Sequence, residues 1–134
     1  MYEEKGKFYL FVKSSPNPDN LLLLVSDHVN GKFERVEGFD DSMGAQTKGM
    51  YEAPTAVKLA DGRWCLFADF YGAGCAGQGY VPFVSDDLTK GVFTRADEAF
   101  HFPYGFKHGT ILPITEEEYE RMLARDWTDV PDLR

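Results

Sequence analysis

Apolar and polar positions alternate in short runs along most of the chain, and glycine, asparagine or aspartate closes each run. Over 63–70 the alternation puts Trp64, Leu66 and Ala68 on one face and Cys65, Phe67 and Asp69 on the other, the period of a strand. Further strands are expected near 52–59, 80–85 and 92–96. Asp61-Gly62 supplies a tight turn and a glycine-rich stretch, 72–79, supplies a longer loop. Together these make one four-stranded antiparallel unit. A second set of strands falls near 7–13, 21–26 and 32–37, with Asn30-Gly31 as a hairpin signal between the last two. Its inner strand is almost absent, because the chain begins at Met1. A sheet opened at its second strand exposes an unpaired edge.

The two sets are copies of one pattern. "EEKGKFYLFVKSS" (3–15) matches "LADGRWCLFADFY" (59–71), with Gly6 on Gly62 and Leu10-Phe11 on Leu66-Phe67. "VSDHVNGKFERV" (25–36) matches "VSDDLTKGVFTRA" (84–96), with Ser26-Asp27 on Ser85-Asp86. Strand repeats of this period are the mark of propellers. The expected fold is therefore all-β: a partial β-propeller of two four-stranded antiparallel blades, the start of a third and a short C-terminal helix. The chain reads as a single domain over 1–134, with blade-like repeats at 1–37 and 52–96 and a closing strand and helix at 108–125. The closing strand is expected over 109–114. Thr115 and Glu118 form a capping box for a helix ending near Arg125.

Composition narrows the function. The chain carries 14 basic and 22 acidic residues, a net charge of −8, and no basic cluster, which argues against nucleic acid or an anionic membrane as partner. A neutral ligand such as an oligo- or polysaccharide fits better. The longest apolar run, 21–25, is far too short to span a bilayer. No signal peptide is evident, so the chain as given reads as soluble and cytoplasmic. Cys65 and Cys75 form no metal-type spacing and are expected to be reduced thiols.

Glu52 raises the question of chemistry, because it places a charge at the mouth of a strand otherwise built for burial. It reads either as a solvated strand-end residue or as an acid in a cleft, where desolvation would raise its pKa toward that of a general acid. Asp69 reads as a ligand of sugar hydroxyls or as a loop cap. Phe100, Phe102, Tyr104 and Phe106, with Phe70 and Tyr71, suit a sugar-stacking platform and blade packing equally. His108 reads as a strand-start histidine, and His28 and His101 as structural. Ser26-Asp27 and Ser85-Asp86, being duplicated, read as turn scaffold.

The stretches "MYEAPTAVKLADGRWCLFADFYG", "GYVPFVSDDLTKGVF" and "HFPYGFKHGTILPITEEEYERM" resemble the later blades of glycoside hydrolase family 43. That family comprises arabinofuranosidases, xylosidases and arabinanases on a five-bladed propeller. The resemblance implies inverting hydrolysis by a carboxylate pair about 6.5–9.5 Å apart. It implies Glu52 as general acid, sugar contacts from Asp69, Phe70, Tyr71 and Phe106, and a channel site for a metal such as calcium at His108. No other cofactor is implied. The base and the acid-tuning carboxylate of the family have no counterpart in this chain, so catalysis by it alone is expected to be incomplete. The alternatives are a carbohydrate-binding module without catalysis and a homo-oligomer formed through exposed blade edges.

Overall fold

In the computed structural model, residues 1–14, 21–46, 50–71, 79–100, 102 and 105–125 are described. Two four-stranded antiparallel sheets stand in sequence order. The first joins β1 (Tyr2–Glu4), β2 (Lys7–Lys13), β3 (Leu21–Ser26) and β4 (Glu34–Arg35). After helix α1 (Glu37–Gln46), the second joins β5 (Tyr51–Lys58), β6 (Trp64–Phe70), β7 (Gly79–Ser85) and β8 (Thr94–Arg95). Helix α2 (Glu116–Ala124) follows, opened by the expected capping box between Thr115 and Glu118. This is the all-β, partial propeller architecture that the alternation implies. Among the described residues no helix is long and apolar enough to cross a membrane.

The sheets pack face to face through one of the two sides that alternation predicts for β6. Tyr9, Phe11 and Leu23 of the first sheet meet Trp64, Leu66 and Ala68 of the second in one buried cluster. Cys65 and Phe67, on the opposite side, form a second cluster with Tyr80, covered by Phe100, Phe102 and Ile111. Burial there pushes the Cys65 thiol up to about 12, so it stays a neutral packing group.

Four expectations are corrected. The first inner strand is present, as three residues paired to β2, because Lys5 and Gly6 both take positive φ and close a two-residue hairpin. Asn30-Gly31 does not form such a hairpin. Gly31 donates to the His28 carbonyl inside a longer connection, and β4 is only Glu34–Arg35. No strand forms over 109–114; that segment instead lays Ile111 against the outer cluster. Helix α1 was not expected at all. Its pattern is faint, with only Phe39 and Met43, four apart, buried between two glycine-interrupted turns. The expected turn scaffold holds: Ser26 and Ser85 each accept the N–H two residues on, from His28 and Asp87.

Helix α1 docks on the turn before β8, where Gly91 has φ 66 and a Cβ would lie 2.8 Å from the Phe39 nitrogen. Gly44, inside α1, has nothing within 4 Å of a Cβ. The same substitution should therefore act with opposite sign. Gly91→Ala is expected to cost about 2–4 kcal/mol through backbone strain and overpacking. Gly44→Ala is expected to stabilise by about 0.5–1 kcal/mol. Urea denaturation of the two variants checks both.

Candidate functional site

Glu52 lies on β5 at a break in regular pairing. The register of β5 on β6 shifts between Glu52 and Thr55, and Ala53 takes φ 46, rare for a residue with a Cβ. Pro54 follows at a position that donates no hydrogen bond, which suits the irregular step. Before the break, Glu52 sits directly opposite Asp69 of β6. The two carboxyl groups are thereby neighbours, on the sheet face turned toward the segment that carries His108.

Their environments differ. The Glu52 side chain is 28% exposed and its Oε2 accepts from Lys13 Nζ at 2.8 Å, across from the first sheet. That hydrogen bond, chiefly, holds the Glu52 carboxyl below the usual carboxylate range, outweighing its partial burial. The expectation of a raised pKa at Glu52 is thus corrected, because a cation faces it. Asp69 is 2% exposed, and burial pushes its carboxyl up. Its Oδ2 accepts the His108 backbone N–H at 2.9 Å and lies 3.2 Å from His108 Nδ1, while Oδ1 is buried without a hydrogen-bond partner. Of the two sequence readings of Asp69, the loop cap matches its bond to the His108 N–H, and the carboxyl is 2% exposed.

His108, with φ 54, is pinned by that double contact, and its Nε2 faces Glu52 Oε1 at 3.8 Å. Tyr71 lies beside the group, with Lys13 Nζ 4.4 Å from its ring centroid. Phe70 turns instead into the core, half-buried, with its ring 5.3 Å from that of Tyr51. Phe106 is 44% exposed and stacked 5.7 Å from Phe102, available at the surface. His101, Tyr104 and Cys75 lie outside the described residues.

A channel metal was expected near His108. Calcium takes about six to eight oxygen ligands. Here Glu52 Oε2 is held by Lys13 and Asp69 Oδ2 by His108. Among the described residues no three His, Cys, Asp or Glu side chains gather to hold an ion. These donors do not fit the metal.

Sequence reading missed Lys13, the residue whose hydrogen bond chiefly lowers the pKa of Glu52. A signal existed, since the repeat places Lys13 on Asp69, so both lie near the same strand end.

Asp69 gives a pH-dependent stability of definite sign. A carboxyl whose folded pKa is raised favours the native state below its unfolded pKa, and that stability is lost as pH rises through the folded pKa. Asp69→Asn removes this loss. The stability of the variant relative to the native chain should rise across that window, by at most about 1.4 kcal/mol per pH unit. Denaturant titrations at several pH values read the slope; a difference independent of pH would contradict it.

The comparisons agree with this architecture. A family model described as "Probable glycosyl hydrolase domain", of a group related to glycoside hydrolase family 43, matches residues 1–120. Neither the curated proteins nor the solved structures compared with the chain give a match. By its sheets and by this match over most of its length, the chain belongs to the family of glycosyl hydrolase-related domains allied to family 43.

Proposed function

We propose that the chain acts in the hydrolysis of arabinose- or xylose-containing plant polysaccharides, with inversion, and that Glu52 is the carboxyl that protonates the leaving oxygen. The observation that carries this reading is the partly exposed Glu52 at the β5 break, with His108 facing its Oε1 and Lys13, which also lies over the Tyr71 ring, on its Oε2. A sugar ring that packs over Glu52 desolvates the carboxyl, which opposes the hold of Lys13 on Oε2 and lets Oε1 carry a proton. Asp69 is buried and committed to His108, so it does not serve as the base that activates water. The base comes from elsewhere, from another chain segment or a second copy joined through exposed blade edges.

A second reading, carbohydrate binding without catalysis, is favoured by the Lys13–Glu52 ion pair, which keeps Glu52 ionised and suited to accepting hydroxyl hydrogen bonds. Hydrolysis of aryl α-L-arabinofuranosides, aryl β-D-xylosides and arabinan by the purified chain, against Glu52→Gln, separates the two. Turnover lost in the variant supports the acid. Oligosaccharide binding without turnover, surviving the substitution, supports the binding module. Neither turnover nor binding removes both.

A further inference from the structure

The contact between Lys13 and Glu52 recurs one unit later. Leu10-Phe11 aligns with Leu66-Phe67, which sets Lys13 on Asp69. Each of the two reaches the residue 39 places further on: Lys13 takes Glu52, and Asp69 takes His108. The slot is the same, and donor and acceptor are exchanged. In the second unit a buried acid accepts the backbone N–H of His108; in the first a lysine side chain donates to an acid. His108 Nε2, 3.8 Å from Glu52 Oε1, joins the two contacts into one chain of polar groups running from the first sheet to the outer face of the second.

That arrangement leaves Glu52 with a counter-ion supplied by the neighbouring sheet. Lys13 Nζ lies 2.8 Å from the carboxylate and 4.4 Å from the Tyr71 ring centroid, so it is held from two sides. We propose that Lys13 is the fixed cation of this site, a positioning residue that holds the Glu52 carboxylate in place and stands where a metal ion would otherwise be needed. The inference rests on Glu52 being the site's carboxylate. It adds that the site is assembled across two repeats and does not depend on a divalent ion. The Asp69–His108 contact places the same strand position, 39 residues before its partner, in the second unit.

The test uses the native chain with Lys13→Met and Lys13→Arg, and Ca²⁺ as the probe. Calorimetric titration gives the affinity, and NMR signals of the Glu52 methylene and the His108 ring give the location. The native chain and Lys13→Arg are expected to bind no Ca²⁺ below the millimolar range and to share Glu52 signals. Lys13→Met, with its thermal midpoint retained, is expected to shift the Glu52 and His108 signals and to bind Ca²⁺ at least about tenfold more tightly than the native chain. Zero-length carbodiimide coupling of the native chain is expected to yield a Lys13–Glu52 linked peptide by mass spectrometry, a readout that needs no variant.

Submillimolar Ca²⁺ binding at Glu52 and His108 of the native chain would overturn the proposal. So would a folded Lys13→Met variant with unchanged signals and affinity, or absence of the linked peptide. No readout here uses hydrolysis. A chain without turnover that gives the expected results leaves the role of Lys13 intact.

Discussion

Glu52→Gln is expected to lower hydrolysis of arabinan and of glycosides with poor leaving groups by about 10² to 10⁴-fold, the usual contribution of a positioned general acid. Glutamine keeps the size and one hydrogen-bonding oxygen but has no acidic proton to give. The loss should shrink to about tenfold or less on dinitrophenyl glycosides, whose leaving oxygen needs no protonation. That contrast separates proton donation from mere placement of the substrate; an equal loss on both substrates would assign Glu52 to binding. The pH profile supplies a second handle. Lys13 holds the Glu52 carboxyl below the ordinary range in the free protein, so kcat/KM should fall on the alkaline side of an acidic optimum. The variant should lack that limb.

The largest expected loss of stability is at Phe93→Ala. Phe93 is fully buried, and its ring centroid lies 5.8 Å from that of Phe11 and 5.5 Å from that of Phe39, both at near-perpendicular angles. Phe11 and Phe39 meet each other at 5.7 Å. The three rings come from β2, from α1 and from the turn before β8, so the cavity would open where both sheets and the helix meet. Truncation there costs about 3–5 kcal/mol. That is a large share of the roughly 5–15 kcal/mol that holds a domain folded. Phe106→Ala, at an exposed ring, should cost well under about 1 kcal/mol. Guanidinium denaturation of the pair reads the difference, and similar midpoints for the two would mean that the aromatic junction does not hold the sheets together.

Much of the fold was legible from local pattern. Alternation along Trp64–Phe70 gave both faces of β6, and the paired serine turns gave the hairpin ends, because each depends on residues close in the chain. Helix α1 was hidden, since its two glycines weaken its propensity and its stability comes from packing of Phe39 and Met43 against other elements. The strand expected over 109–114 failed for the converse reason. Its apolar residues found a partner in the outer cluster through side chains, with no neighbouring strand to pair its backbone.

The candidate site divides along the same line. Sequence by itself determined the repeat, the all-β class and the position of Glu52 at the mouth of β5, and the family follows from those motifs. It also determined that the chain is acidic overall. Only the tertiary structure decided what each candidate site residue meets. It set Lys13 on Glu52, buried Asp69 beneath His108, turned Phe70 into the core and left Phe106 at the surface. A carboxyl's charge state depends on which groups stand within a few ångströms of it, and here those groups lie 39 residues away in sequence and on another sheet. Local pattern fixes which face a side chain takes; the packing of one sheet on the next fixes what it meets there.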